Sequence, residues 1–219
     1  MARNNQRRTK TTPAQEEKQE TVTPAVSPLS FVTPTEFVEL PSQGRFYGPS
    51  HPLHGEDTVE IRFMTARDED ILTSQTLLKK GVAIEKFLSN IIVNKAIQPN
   101  RLLVGDRNAI LVAARITGYG ETYETNVTCP ACNTKSTFPF DLKTTKVYHG
   151  DDYEDYNITE SDDGTFFVDL PLTKVQAQVR ILNGADEAEI TQMVDRNRRR
   201  SSIEGNLTAQ FSKSIISLN

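Results

Sequence analysis

The chain contains only two cysteines, Cys129 and Cys132, which are separated by a proline and an alanine. Two thiolates at this spacing can share one tetrahedral zinc ion when they sit on a tight turn. A closed structural zinc site needs four protein ligands, so the pair supplies half of one. Zinc is therefore a candidate cofactor, with Cys129 and Cys132 as its candidate ligands.

Three interpretations of this cysteine pair remain open. In the first, a zinc site is completed by His149 and one further group, or by a pair from a second chain. In the second, the pair is a redox dithiol, although such motifs open a helix, whereas residues 136–140 alternate like a strand. In the third, the cysteines are inert in a hairpin turn. Two cysteines form no disulfide framework, so nothing indicates an oxidising compartment.

Length and charge restrict the class of protein. The 219 residues are 37 % hydrophobic, which suffices for one substantial core, and the formal net charge is −4. A negative chain is a poor general nucleic-acid binder. No stretch reaches the roughly 18 apolar residues of a membrane-spanning helix, and the polar N-terminus lacks the apolar segment of a signal peptide. We expect a soluble, cytosolic protein.

Residues 1–35 differ in composition from the rest of the chain. Basic and polar residues dominate the first 18 positions, and large apolar side chains are almost absent. Such a segment cannot offset the entropy cost of folding, which predicts a disordered basic arm followed by a proline-containing linker. An arm of this kind is either only solvated or contacts nucleic acid or an acidic partner surface.

A Pro/Gly-rich segment with an aromatic pair spans residues 40–55. It is interpreted either as an ordered loop whose aromatic residues plug the core or as a docking loop, and both interpretations can hold together. As a docking loop it offers five candidate partner-binding residues: Leu40, Pro41, Arg45, Phe46 and Tyr47. His51 and His54 in the same segment lack the H-E-x-x-H spacing of a metal-dependent hydrolase.

Periodicity predicts an α+β domain over residues 36–219. In a helical subdomain at 65–118, the first helix begins with Thr65 as the N-cap and Asp68 as its acidic partner, and Gly81 ends it. The period changes from 3.6 to 2 near Gly118-Tyr119-Gly120, which predicts an antiparallel β subdomain at 121–183 with the CxxC knuckle at its tip. Helices are expected to return at 184–219.

Catalysis and nucleic-acid binding find little support in the residues. No nucleophile, base and orienting acid form a recognisable motif, and no cofactor fingerprint occurs. A zinc-ribbon nucleic-acid-binding protein is the contending class, but Lys135 and Lys143 near the cysteines are opposed by the acidic run at 151–155. That run lacks the ligand spacing of a calcium loop and is expected to be a solvated turn.

Several motifs in order carry a family resemblance from about residue 36 to the end. They are Leu40-Pro41-Ser42-x-Gly44-x-Phe46-Tyr47, Met64-Thr65-Ala66-x-x-Glu69-Asp70-Ile71-Leu72-Thr73-Ser74, Leu77-Leu78-Lys79-Lys80-Gly81, Ala114-Arg115-Ile116-x-Gly118-Tyr119-Gly120, and Cys129-Pro130-x-Cys132 before Phe140-Asp141-Leu142. The chain resembles the baseplate hub proteins of T-even-type contractile-tail bacteriophages. Each motif is weak alone, whereas their order and spacing are fairly specific.

The resemblance implies a non-enzymatic hub subunit or hub assembly factor that helps to build the centre of the baseplate. The expected partners are other hub and tail proteins, with no small-molecule substrate and no membrane. The expected location is the host cytoplasm during assembly and the virion tail baseplate. The resemblance also implies a second cysteine pair near the C-terminus, which this chain lacks. Either the chain is a fragment or this member has lost the site.

Overall fold

Helices dominate the first part of the fold and antiparallel strands the second, which confirms the α+β class. The computed structural model describes residues 33–149, 157–200 and 206–219. The predicted basic arm, apart from its last three residues, and the predicted acidic turn lie outside these ranges.

The N-terminal part joins a two-stranded antiparallel ribbon to four helices. Strands β1 (Thr35–Glu39) and β2 (Thr58–Arg62) pair along their length, with the loop of residues 40–57 between them. The helices are α1 (Ala66–Thr73), α2 (Gln75–Lys79), α3 (Ala83–Ile91) and α4 (Val104–Tyr119), and a 3-10 turn at Pro99–Arg101 precedes α4.

The C-terminal part contains a separate hairpin and a four-stranded sheet. The hairpin consists of β3 (Thr122–Thr128) and β4 (Lys135–Asp141), and a 3-10 turn at Leu142–Thr144 follows it. The sheet consists of β5 (Ile158–Glu160), β6 (Thr165–Asp169), β7 (Gln176–Arg180) and β8 (Ile215–Leu218), antiparallel in that order. Helices α5 (Gly184–Arg200) and α6 (Asn206–Ser214) connect β7 to β8.

One apolar core lies between the ribbon and helices α3 and α4. The ribbon strands alternate, so that Val38, Val59 and Ile61 face inward, and the helices contribute residues at three- and four-residue spacing. Burial of each large aliphatic or aromatic side chain stabilises the fold by about 1.5–3 kcal/mol. The fully buried apolar side chains are Leu40, Ile61, Leu88, Ile91, Ile92, Leu102 and Ile110.

A buried ion pair fixes the start of α1. Arg62 donates two hydrogen bonds to Asp68, at 2.7 and 2.8 Å, and the Thr65 amide and hydroxyl donate to the same carboxylate. The predicted role of Thr65 and Asp68 at this helix start is confirmed. Burial alone would raise the pKa of Asp68, but the hydrogen bonds from Arg62 and Thr65 outweigh it and hold the pKa well below its usual value.

The chain differs from the predicted elements at two places. The first helix was expected to run to Gly81, but extended backbone at Ser74 divides it into α1 and α2, and the Ser74 hydroxyl caps α2. Helices were expected up to residue 219, whereas residues 215–218 form strand β8. Ile215 and Ile216 are β-branched and the edge of β7 is available to pair, which favours a strand.

Candidate functional site

A buried carboxylate organises the loop of residues 40–57. Asp106 on α4 accepts hydrogen bonds from the Ser42 amide at 2.9 Å, the Ser42 hydroxyl at 2.6 Å and the Tyr47 hydroxyl at 2.8 Å. The Tyr47 hydroxyl also accepts a hydrogen bond from the Leu103 amide at 3.0 Å. These contacts satisfy a carboxylate that is fully shielded from solvent, and they attach the loop to the beginning of α4.

Tyr47 is consequently a core residue. Burial, followed by the negative charge of Asp106, raises the pKa of Tyr47 far above its usual value, so the hydroxyl stays protonated and keeps donating. His51 stacks on the Tyr47 ring with 4.2 Å between centroids. Burial, followed by the nearby charge of Arg101, lowers the pKa of His51, which favours the neutral imidazole.

The conformation of this loop requires glycine at Gly44. The residue has φ +69°, and a Cβ there would lie 2.5 Å from both the Leu53 carbonyl oxygen and the Glu56 nitrogen. A side chain at this position would therefore collide with backbone that cannot move away independently. The two halves of the loop therefore pack against each other at Gly44.

The adjacent residues of the loop contact the four-stranded sheet. Phe46 packs on Phe166 of β6 with 5.3 Å between ring centroids, and Arg45 forms an ion pair of 3.1 Å with Glu160 of β5. Gly164, in the turn between β5 and β6, lies directly against the Phe46 backbone, where a Cβ would come within 2.9 Å of the carbonyl oxygen. The loop thus joins the helical core to the sheet.

The five residues predicted to bind a partner therefore differ in accessibility. Leu40 and Tyr47 are buried, Pro41 and Phe46 are half-buried, and Arg45 is exposed. The interpretation of the loop as a core plug agrees with Leu40 and Tyr47. Partner binding by this loop stays a prediction, and only Pro41, Arg45 and Phe46 have side-chain surface available for it.

The cysteines lie in the turn that connects β3 to β4. Cys129 donates its amide to the Thr134 carbonyl at 3.0 Å, and Asn133 adopts the left-handed conformation that closes the turn, with φ 55°. Cys132 is exposed, and its sulfur lies 3.2 Å from the Thr134 hydroxyl oxygen. The hydrogen bonds from the Thr134 side chain and then its backbone lower the pKa of Cys132, which favours the thiolate that a metal requires.

The candidate third ligand lies elsewhere in the fold. His149 is 3.2 Å from a carboxylate oxygen of Glu39 through one ring nitrogen and 3.2 Å from the Pro41 carbonyl through the other. Within residues 33–149, 157–200 and 206–219, no three His, Cys, Asp or Glu side chains are grouped closely enough to hold a metal ion. Zinc binding stays a prediction that needs ligands from another segment or another chain.

The β3–β4 hairpin has one apolar face, and that face is open to solvent. Directly opposed residues of an antiparallel pair project to the same side, so Tyr123 lies beside Phe140, Thr125 beside Phe138 and Val127 beside Ser136. The exposed fractions are 46 % for Tyr123, 43 % for Val127, 53 % for Phe138 and 45 % for Phe140. We call these four residues the apolar hairpin face. The opposite face carries only polar residues and Pro139.

Contacts at its base hold this hairpin against the end of α4. Arg115 lies over the rings of Tyr119 and Tyr123, at 4.9 and 5.9 Å from the centroids, and donates to the Gly120 carbonyl. Lys143 pairs with Glu121 on the other side. The base is therefore anchored, while the strands extend into solvent.

Sequence reasoning identified both strands of this hairpin but not its exposed face. Alternation at Tyr123–Val127 and Ser136–Phe140 is the pattern of strands with one buried side. The pattern gives no information on whether the burying partner belongs to the same chain. The signal available was that the apolar residues occupy alternate positions in each strand, at positions that share one face when the strands pair across the short turn.

Several exposed apolar side chains on one face of a hairpin are a feature found at protein interaction sites. A family model described as T4 bacteriophage base plate protein matches residues 33–204. Since the match covers more than half of the 219 residues, the chain belongs to this family, and its role is structural, in the phage baseplate. The resemblance noted from the motifs is thereby confirmed at the level of the family.

The other comparisons add no relative. A search of curated proteins and a search of solved structures each found no match. In the described ranges, no helix combines the length and the apolar character needed to cross a membrane.

Proposed function

We propose that this baseplate protein is a structural or assembly subunit of the hub, the central part of the baseplate, and that it acts by binding other hub and tail proteins without catalysing a reaction. Family membership supports the baseplate, and the motif resemblance supports the hub. Binding would begin in the host cytoplasm during assembly and persist in the virion tail.

The observation that carries this proposal is the apolar hairpin face. Tyr123, Val127, Phe138 and Phe140 lie exposed on one face, and the ring centroids of Phe138 and Phe140 are 4.8 Å apart. Aromatic side chains supply large, rigid contact area, and they dominate the energetics of protein interfaces. A partner that covers this face removes it from water, which is favourable by roughly 25 cal/mol per Å² of apolar area.

The polar groups of the fold support binding over catalysis. Asp106 is fully buried and burial raises the pKa of Tyr47, but both side chains are used in hydrogen bonds that hold the loop. Asp68 is likewise engaged by Arg62 and Thr65. The Asp106 and Asp68 carboxylates are thus both occupied by hydrogen bonds within the fold.

The loop of residues 40–55 is a second candidate contact surface. Arg45 and Phe46 lie at the junction between the loop and the four-stranded sheet, where a partner would contact both. Replacing Arg45 with Ala tests this surface without disturbing the buried hydroxyl of Tyr47. Reduced partner capture with an unchanged melting temperature would support it.

The test of the proposed function is capture of tail proteins by the full chain in phage-infected cells. Tagged wild-type protein and a Phe138→Ser, Phe140→Ser double variant are purified, and the co-purifying proteins are identified by mass spectrometry. We expect the wild type to retain hub or tail proteins and the variant to lose them. Both substituted side chains are half exposed, so folding should change little.

A matched control uses the polar face of the same strands. A Thr122→Ala, Thr137→Ala double variant changes the same number of residues in the same hairpin, and it should capture the same proteins as the wild type. Equal capture by the wild type and the Phe138→Ser, Phe140→Ser variant would contradict binding through the apolar hairpin face. Absence of any tail protein from the wild-type sample would contradict the hub role.

A further inference from the structure

One edge of the β3–β4 hairpin is available for pairing with another strand. The Cys129 amide donates to Thr134, and the Leu142 amide donates to Glu121, which fixes the alternation of the ladder. The amides of Tyr123, Thr125 and Val127 therefore point towards β4. The amides of the even-numbered residues of β3 point outward, and in the described part of the chain no strand pairs with them.

The outer edge of β4 is closed to the same interaction. Pro139 lies opposite Glu124, in a pair whose backbone groups point away from the partner strand. Proline has no amide hydrogen, so an added strand would lose a hydrogen bond at the middle of this edge. Proline at this place is a common protection of an edge strand. The β3 edge has no proline. At its first residue the Thr122 carbonyl accepts a hydrogen bond of 3.5 Å from Arg115, which a full-length added strand would replace.

A two-stranded hairpin with both faces exposed is marginally stable in water and normally gains a third strand or a cover. We propose that β3 pairs antiparallel with β3 of a second copy of this chain, which produces a four-stranded sheet in the order β4–β3–β3–β4. Because each copy has one open and one closed edge, the assembly stops at the dimer and cannot extend into a filament.

The sequence of β3 is complementary to itself in the register that pairs all seven residues. In that register Thr125 lies on the two-fold axis, and Tyr123 lies beside Val127 of the second copy on both sides of it. Glu124 lies beside Asn126, and Thr122 beside Thr128. Aromatic and β-branched residues pair favourably across strands, and no like charges meet.

Two neighbouring registers also pair the outward-facing backbone groups of the two β3 strands, but their side-chain contacts are less favourable. A shift in one direction places Glu124 opposite Glu124 of the second copy, which is repulsive. A shift in the other direction places Tyr123 opposite the cysteine turn and shortens the paired segment. The full register also joins the two apolar hairpin faces into one surface on the same side of the sheet.

The antiparallel arrangement separates the two cysteine turns. They lie at opposite ends of a paired strand of seven residues, which corresponds to roughly 20 Å or more. The four thiols of the dimer therefore cannot share one zinc ion, and a metal at Cys129 and Cys132 needs ligands from a third source.

The first test is the mass of the purified full chain in sedimentation velocity experiments across a dilution series. An Asn126→Pro variant removes an outward amide from the open β3 edge, whereas a Thr137→Pro variant removes one from the β4 edge that Pro139 already interrupts. Both variants lose the same Thr137–Asn126 side-chain hydrogen bond, so they are closely matched. We expect a dimer for the wild type and for Thr137→Pro, and dimerisation weaker by about tenfold or more for Asn126→Pro.

The second test fixes the register by cross-linking. In a Cys129→Ser, Cys132→Ser background, a Thr125→Cys variant places two thiols at a non-hydrogen-bonded pair on the axis, where Cα atoms are about 4.5 Å apart and a disulfide can form. Ser136→Cys in the same background is the control, since β4 strands of the two copies are about 14 Å apart. Oxidation should link Thr125→Cys into a dimer and leave Ser136→Cys monomeric.

A monomeric wild type, or efficient cross-linking of Ser136→Cys instead of Thr125→Cys, would overturn this pairing. A monomeric wild type whose capture of a tail protein is lost on Asn126→Pro substitution would assign the β3 edge to a foreign strand. Since the purified chain is studied without tail proteins, failure of the dimer leaves the proposed hub role intact. If the wild type formed the dimer but captured no tail protein, the hub role would fail and the strand pairing would stand.

Discussion

The Tyr47 hydroxyl occupies a position where one oxygen serves two buried groups. It donates to the Asp106 carboxylate and accepts from the Leu103 amide, and solvent reaches neither of them appreciably. Removing one partner from a buried hydrogen bond costs more than making the bond contributes, because the remaining group stays desolvated. The aromatic residue that looked like an interface anchor is thus tied to the stability of the isolated protein.

We expect a Tyr47→Phe substitution to lower the free energy of unfolding by about 1–3 kcal/mol, because it leaves the Leu103 amide without an acceptor. Urea denaturation at neutral pH measures the change. Tyr123→Phe is the control. The Tyr123 ring is about half exposed on the hairpin, so this variant should change the free energy of unfolding by no more than about 0.5 kcal/mol. Equal stabilities of the two variants would show that the hydroxyl of Tyr47 is dispensable.

The ion pair between Asp68 and Arg62 predicts how stability depends on pH. The folded-state pKa of Asp68 is depressed, so its contribution is complete above the ordinary value of 3.8 and is lost as the pH falls below it. We expect the decrease in unfolding free energy on acidification to be smaller for Asp68→Asn than for the wild type, although the variant is less stable at neutral pH.

The control for this pH dependence is Asp70→Asn, which changes an exposed carboxylate in the same helix. Its curve of stability against pH should run parallel to that of the wild type. If Asp68→Asn retained the full acid dependence, the buried pair would not be its source.

At the scale of elements, the hairpin combines features that sequence patterns predict well with one they cannot predict. Alternation located β3 and β4, and the turn chemistry of Asn133 agrees with the tight connection. Exposure of Tyr123 and Phe138 depends on which elements fold over them, and that is a long-range property. The same limit applies to β8, whose strand conformation depends on the edge offered by β7.

The turn of this hairpin contains the two cysteines that are predicted to bind zinc. Zinc bound to this chain would use thiolates of Cys129 and Cys132, with the remaining ligands supplied by another segment or another chain, because two ligands hold the ion weakly. Metal analysis of wild-type protein purified with its partners should detect more zinc than analysis of a Cys129→Ser, Cys132→Ser variant. Equal zinc in the two preparations would remove the site.

At the scale of the whole molecule, the loop of residues 40–57 links the helical region to the four-stranded sheet, which are distant from each other in the sequence. Its Tyr47 is held by α4, and its Phe46 and Arg45 contact β6 and β5. Backbone hydrogen bonds add a second link, since Val104 donates to Leu182 and Gly184 donates to Leu102. Helices α1–α4 precede strands β3–β7 in the order that periodicity predicts, and these contacts join the two groups of elements.

The change from helix to strand near Gly120 could be predicted from the sequence because the change in hydrophobic period is local. The contacts between these elements could not be predicted, because Tyr47 and Asp106 are 59 positions apart and neither segment contains a pattern that indicates its partner. A buried aspartate at the start of a helix also has a local explanation, as a favourable charge at the helix N-terminus. Its use as an acceptor for a distant loop is visible only in the fold.

Hydrogen–deuterium exchange of the full chain, free and in complex with a captured tail protein, tests most directly whether this baseplate protein binds through its hairpin. We expect the amides of Thr122–Thr128 and Lys135–Asp141 to exchange more slowly in the complex, because the partner covers the apolar hairpin face and stabilises the ladder. Unchanged exchange in both strands, with protection confined to residues 40–55 or elsewhere, would contradict a hairpin interface.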